Sequence, residues 1–166
     1  YDLDHTKCTT DSYKQYIRGS AEAVGLMCLY VFTTNKTTKY KDLKPYAESL
    51  GSAFQKINFL RDLSDDYNHL HRVYFPNLDI SKFDNVQKKS IEEDIEKEFI
   101  HALAGIKLLD KKAQKGVYLA FRYYVSLFNK IKNLDASYIL KNRVRVSNFN
   151  KIMILIFSQF SFKLKY

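Results

Sequence analysis

Three oxygen-bearing side chains, Asn58, Asp62 and Asp66, recur at intervals of four within Gln55-Lys-Ile-Asn58-Phe-Leu-Arg61-Asp62-Leu-Ser-Asp65-Asp66. On a helix that spacing stacks them on a single stripe. At 3.6 residues per turn, Gly51, Gln55 and His69 fall on the same stripe. Leu50, Ala53, Phe54, Ile57, Leu60 and Leu63 cover the other faces, and a helix apolar on several sides is normally buried. A buried acidic stripe must be neutralised. A hard divalent cation does this well: Mg²⁺, or Mn²⁺ in its place, takes carboxylate oxygens and usually holds substrate phosphates as well. The alternative is a solvated face on a surface helix, which the spacing by itself favours because charges are rarely fully buried. The flanking apolar residues favour metal ligation by Asn58, Asp62 and Asp66. Asp65 projects about a quarter-turn away, toward solvent or the margin of the site.

Other residues fit a phosphate-handling site less specifically. Arg61, Lys56, Arg72, Arg143 and Arg145 are candidate partners for diphosphate oxygens, since the planar guanidinium fork bonds two oxygens at once. Taken singly, each is better read as a surface charge. Tyr74 and Tyr124 could present hydroxyls at the end of an apolar cavity, or be core tyrosines with satisfied hydroxyls. His5, His69, His71 and His101 do not pair at metal-ligand spacing, and no glycine-rich phosphate loop or Ser-His-Asp arrangement is present. The net charge of +9 fits an anionic partner: a diphosphate, an anionic membrane surface or nucleic acid. No nucleic-acid-binding motif accompanies the charge, so no nucleic-acid partner is expected.

The elements that must position these residues read as helices almost throughout. A chain of 166 residues, 46% hydrophobic with five glycines and two prolines, is long enough for one domain with a sizeable core. Thr10 or Asp11 can cap a helix running to about Phe32. Its middle, Gly19-Ser-Ala-Glu-Ala-Val-Gly25, is rich in small residues that let a neighbouring helix or a ligand come close. Residues 33–39 read as a polar loop, and Pro45 suits the first turn of the next helix, ending near His69. Pro76 breaks helicity at Phe75. Further helices are expected from Ser90 to about Leu109, from near Gly116 to about Lys132, and from near Asn148. Arg143-Val-Arg145-Val forms a short segment before the last of these. Residues 152–157 are apolar but too short to span a bilayer, and read as a packed helix or an interfacial one. The fold class is all-α. Cys8 and Cys28 form no disulfide framework; Cys28 is expected to be a small buried hydrophobe, and a reducing cytoplasm is the default compartment. The sequence opens without Met, and Tyr1-Asp-Leu-Asp reads like the middle of a domain with no signal peptide.

Three segments together resemble the phytoene and squalene synthase family, the head-to-head prenyl diphosphate synthases. Gly19-Ser-Ala-Glu-Ala-Val-Gly-Leu-Met-Cys-Leu29 is similar to the family's small-residue helix, and closest to the bacterial phytoene synthases. Residues 50–66 resemble its second aspartate-rich motif, followed at the expected distance by Arg72-Val-Tyr-Phe-Pro76. Tyr123-Tyr124 and Arg143-Val-Arg-Val-Ser147 complete the likeness, which covers essentially the whole chain. The resemblance implies an isoprenoid synthase-type helical bundle that joins two prenyl diphosphates. These are usually two geranylgeranyl diphosphates giving phytoene in carotenoid biosynthesis, through a cyclopropyl intermediate. It implies that Asn58, Asp62 and Asp66 hold Mg²⁺ on one diphosphate, that Gln55 lines the reaction centre, and that Arg61, Tyr74, Tyr124 and Arg143 stabilise diphosphate or close the pocket. Ala23, Val24 and Gly25 would border the channel for a prenyl tail. No NADPH is expected. The family carries a second aspartate-rich helix that has no counterpart here, and Asp2 and Asp4 are too close together to supply one. Residues 1–166 therefore read as the C-terminal part of a single synthase domain whose N-terminal helices are missing, inactive alone. Two other products of the same fold stay open, a squalene or dehydrosqualene-type C30 synthase and a non-catalytic helical adaptor.

Overall fold

The computed structural model describes residues 8–34 and 37–161. Asp2, Asp4 and His5 lie outside the described residues. All regular structure among the described residues is helical, as expected. Helix α1 (Thr10–Ile17), a π turn (Arg18–Glu22) and α2 (Ala23–Phe32) make one continuous run. Helix α3 (Thr37–Leu70) is the axis of the fold at 34 residues. A 3₁₀ turn (Ile80–Lys82) leads into α4 (Asn85–Leu108), which is followed by α5 (Lys111–Lys132), a short α6 (Ala136–Ile139) and α7 (Asn148–Ser161).

The helix starts differ from expectation for identifiable reasons. Thr9, not Thr10 or Asp11, caps α1: its hydroxyl accepts from the Ser12 N–H at 3.2 Å while the Ser12 hydroxyl accepts from the Thr9 N–H at 2.9 Å. Helix α3 begins at Thr37, so Pro45 lies inside it. Proline leaves the carbonyl four residues back without a helical partner; that residue, Lys41, and Pro45 itself are both exposed, where water can serve the carbonyl. Helix α4 begins five residues before Ser90, because Asp84 accepts from the Val86 and Gln87 N–H groups at 3.0 and 2.8 Å. The charged stretch that follows is partly interior: Lys88 and Glu92 are buried and paired with each other. Helix α5 begins at Lys111 rather than near Gly116.

Helix α3 is packed on three sides. Ala53, Ile57, Leu60 and Leu63 enter the core with Ile95 and Phe99 of α4 and with Phe121, Leu127 and Phe128 of α5. The α1–α2 run lies close along α3 at two glycines. A Cβ on Gly25 would stand 2.8 Å from the Ala47 carbonyl oxygen, and one on Gly51 would stand 2.6 Å from the Ala21 oxygen and 3.1 Å from the Glu22 Cα. The small-residue segment thus admits a neighbouring helix, and the π turn is the part seated on Gly51.

A polar cluster ties α3 to α4. Lys56, 7% exposed, donates to Asp94 at 2.5 Å and to Glu98 at 2.8 Å, and the Ser52 hydroxyl donates to Glu98 at 2.7 Å. Burial opposes the Lys56 charge, but the two carboxylate hydrogen bonds outweigh it and hold the ammonium above its ordinary value. Lys56 therefore belongs to the α3–α4 seam and is not available as a diphosphate ligand, which corrects the sequence expectation. Burial raises Glu98 against the pull of Lys56 and Ser52. Glu22 in the π turn is also raised, first by burial and then by Glu48 and Glu98, with Arg18 and Lys56 opposing.

Two outcomes follow from this packing. Gly51→Ala forces a methyl group against the backbone of the π turn. The overpacking should outweigh the gain in helix propensity and cost about 1–2 kcal/mol, read as a lower denaturation midpoint; an unchanged midpoint would contradict the close approach. Because the folded state raises the Glu22 carboxyl, its favourable contribution is complete below the ordinary glutamate range and is lost as pH rises through the folded value. Glu22→Gln, which resembles the protonated acid, should be more stable than the parent at pH 7, and the difference should close as pH approaches about 4.3. Thermal denaturation across that range checks the sign.

Candidate active site

The acidic stripe is built as the spacing predicts. Asn58, Asp62 and Asp66 lie on successive turns of α3, each half-buried, with Gln55 half-buried one turn earlier and His69 exposed at the end. Asp62 is gripped by two arginines. Arg61 donates from Nε to Oδ1 at 2.9 Å and from Nη2 to Oδ2 at 2.5 Å, and Arg143 places its Nε 2.8 Å from the same Oδ1. Arg143 also reaches Asp65, at 3.5 Å. The hydrogen bond to Asp62 holds Arg61 still more firmly protonated.

Arg143 is positioned by a segment of alternating character. Val144 and Val146 are buried, while Arg143 and Arg145 are exposed, and the Val144 N–H bonds the Arg61 carbonyl at 3.3 Å. Arg143 thereby reaches the α3 stripe from a point far along the chain. Arg145 does not join the site; its carbonyl accepts from Lys130 at 2.7 Å.

Asp66 is the under-compensated member. Burial raises its carboxyl first, then the charges of Asp62 and Asp65, and Arg143 and Arg61 only partly offset them. An additional cation is what this carboxylate lacks. Among the described residues no three His, Cys, Asp or Glu side chains converge on a point that could hold a metal ion. The stripe instead offers two carboxylates and one amide oxygen along one edge. That donor set fits Mg²⁺ or Mn²⁺, hard ions that bind one or two carboxylates and complete their shell with water and substrate phosphate.

Past Asn58 the same face of α3 becomes apolar. A cavity of about 520 Å³ lies between α2, α3, α4 and α5, with Leu50 and Phe54 on α3, Ile106 on α4 and Val117 on α5 among its walls. Val24 and Gly25 line it on α2. Ala23 does not, because one residue on a helix turns about 100° and carries it off the face shared by Ala21, Val24, Gly25 and Cys28. Cys28 is exposed and lines the cavity instead of being buried, for the same reason.

Tyr124 stands at the junction of the two zones. Its ring stacks on Phe54 at 3.8 Å between centroids, and its hydroxyl donates to the Asn58 amide oxygen at 3.3 Å. Phe54 is a site residue that sequence reasoning placed only in the core. Its position four before Asn58 was the available signal. Tyr74 lies at the other end of the stripe, stacked on Phe59 at 4.4 Å and against Tyr16 at 5.2 Å. The Tyr16 hydroxyl is raised by burial and then by Tyr74 and Asp66, which places these three groups within electrostatic reach of one another. Just beyond, Arg72 donates its backbone N–H to the Asp66 carbonyl at 3.0 Å, and its Nε is buried without a hydrogen-bond partner among the described residues.

The chain has relatives among known proteins. It is 25% identical to a 4,4'-diapophytoene synthase from Staphylococcus haemolyticus over 82% of its own length and 51% of that protein's. It is 33% identical to the phytoene synthases of Mycobacterium bovis and Mycobacterium tuberculosis over 49% of its length and 26% of theirs. The chain therefore spans about half, or less, of the length of the relatives it matches. Its fold matches the crystal structure of a dehydrosqualene synthase with a TM-score of 0.76 at 22% identity, over 98% of this chain and 61% of the other. The sequence model of the squalene/phytoene synthases matches residues 1–150. A match over so much of the chain, on an isoprenoid synthase helical fold, makes this chain a member of the squalene/phytoene synthase family.

Proposed function

We propose that this chain forms one wall of an enzyme that joins two prenyl diphosphates head to head, with phytoene from two geranylgeranyl diphosphates as the product. The observation that carries the proposal is the continuity of one α3 face: an acidic stripe with arginines at one end and an apolar cavity at the other. That order matches the polarity of a prenyl diphosphate. Similarity to the staphylococcal 4,4'-diapophytoene synthase over 82% of the chain supports a C30 product as the second reading.

In the reaction the C–O bond of an allylic diphosphate breaks, the diphosphate leaves with the electron pair, and the double bond of the second molecule attacks the allylic cation. Loss of a proton closes the cyclopropyl intermediate, its own diphosphate then leaves with its electron pair, and loss of a second proton gives phytoene. Asn58, Asp62 and Asp66 would hold Mg²⁺, which when bound supplies positive charge for the leaving diphosphate. Arg61 and Arg143 present guanidinium donors at the same place and hold the negative charge that develops as the bond breaks. The stacked faces of Phe54 and Tyr124 border the cation, where the ring quadrupoles favour positive charge. Val24, Gly25 and Leu50 keep water from the tail and from the cation. Gln55 lines the stripe beside Asn58, and Tyr74 closes its far end. The Tyr124 hydroxyl, donating to the Asn58 amide oxygen, fixes the orientation of that amide.

In the full-length enzyme, Asp62→Asn and Asp66→Asn should each lower turnover of geranylgeranyl diphosphate at least a hundredfold, on the scale of losing a charge-stabilising group, with helix content unchanged. Hydrocarbon product quantified by chromatography reads the effect; wild-type rates in both variants would refute the assigned roles. Parallel assays with the C15 and C20 diphosphates decide between the two product lengths. No turnover of either by the wild-type enzyme would favour a non-catalytic helical adaptor. The 166-residue chain by itself, supplied with Mg²⁺ and either diphosphate, should form no hydrocarbon, and product from it would overturn the one-wall account.

A further inference from the structure

We infer that Tyr46, seated on Gly105, sets the length of prenyl tail the cavity accepts, and sets it for four isoprene units. The inference rests on the reading above, in which the allylic cation forms beside Phe54 and Tyr124. Tyr46 precedes Phe54 by eight residues on α3, about 12 Å along the helix away from the acidic stripe. An extended carbon chain gains about 3.5 Å every three bonds, so an isoprene unit of four bonds spans about 4.5 Å. A tail that starts at Phe54 brings its third unit opposite Tyr46, and a fourth must pass it. Helices α2 and α4 run antiparallel to α3, as the pairs Gly51–Ala21 and Ala47–Gly25, and Ser52–Glu98 and Tyr46–Gly105, show. Buried Leu29 and Leu43 and half-buried Leu109 therefore line the cavity beyond Tyr46, where a fourth unit would lie.

At the level of Tyr46 one missing side chain fixes the width of the cavity. A Cβ on Gly105 would stand 2.2 Å from the Tyr46 Cβ, 2.5 Å from its Cγ and 3.0 Å from its Cδ2. The tyrosine thus occupies the space a methyl group would fill, and lies back against α4. Its ring stacks on His101, one turn earlier on α4, at 4.5 Å between centroids. His101 is held in turn from α3, with its Nδ1 2.8 Å from the Ser49 hydroxyl. Gly105 and Tyr46 both line the cavity. The backbone does not require this glycine, because no glycine among the described residues has a positive φ. A glycine inside a helix also weakens it, so room for the Tyr46 ring is what the position gains. A side chain at 105 would push the ring off α4 and into the path of the tail.

The test is calorimetric titration of the full-length protein, in Mg²⁺, with non-ionising thiodiphosphate analogues of the C15 and C20 prenyl diphosphates. The parent should bind the C20 analogue about tenfold more tightly, because a further isoprene unit is buried. Gly105→Ala should remove that preference by weakening the C20 analogue about tenfold and leaving the C15 analogue unchanged. Gly105→Ala/Tyr46→Ala should restore it. Tyr46→Trp, which leaves Gly105 in place, should act as Gly105→Ala does and replaces it if that variant does not fold. Equal affinity of the parent for the two analogues would overturn the proposal and leave the diphosphate reading standing. So would equal weakening of both analogues by the single variants, an unchanged C20 preference in them, or a double variant that does not regain C20 binding. Absence of Mg²⁺-dependent binding of either analogue would overturn both readings. The expected preferences in a protein that forms no hydrocarbon would uphold the tail gauge and overturn the synthase reading.

Discussion

The rest of the structure depends on one electrostatic constraint: α3 is packed on three sides and still carries carboxylates on its fourth. Isolated carboxylates in such a place are costly, and the fold answers with arginines. Asp62 receives two of them, Arg61 from its own helix and Arg143 from the extended segment before α7. The hydrogen bond between Val144 and Arg61 and the burial of Val144 and Val146 fix that segment against α3. Asp66 remains under-compensated, which leaves the stripe receptive to further positive charge. A neutralised Asp62 and an under-compensated Asp66 on one stripe are what the proposed ion-binding role requires.

Two supports keep the stripe facing its cavity. On one side, Lys56 with Asp94, Glu98 and Ser52 locks the rotation of α3 against α4, because any turn of the helix would strand a buried charge. On another, Gly25 and Gly51 let the α1–α2 run lie so close that the π turn seats on α3. The aromatic stack of Tyr16, Phe59 and Tyr74 supports the end near Asp66, and the Phe54–Tyr124 stack supports the boundary with the cavity. Polar and apolar chemistry are thus separated along one helix by rings that touch both.

Much of this was legible in the sequence. The i, i+4, i+8 spacing of Asn58, Asp62 and Asp66 within an apolar helix located the stripe, and helical periodicity located most elements. Helix starts were less legible. Ser90 read as the start of α4, although Asp84 caps that helix at Asn85, and Pro45 read as a helix start because its exposed setting inside α3 is invisible in one dimension. Lys56 read as a free cation because its partners lie about 40 residues away on α4. The packing of Phe54 on Tyr124 and the exposure of Cys28 likewise depend on which helices meet, and local pattern carries no record of that.

The most direct test of the central claim, that the α3 stripe binds a prenyl diphosphate through a divalent cation, is calorimetric titration of the full-length protein with a non-ionising thiodiphosphate analogue of geranylgeranyl diphosphate. Titrations with and without Mg²⁺ on the parent and on Asp66→Asn separate the contributions. Binding is expected to require Mg²⁺ and to be lost in the variant. Binding of equal strength without Mg²⁺, or unchanged in Asp66→Asn, would contradict the claim.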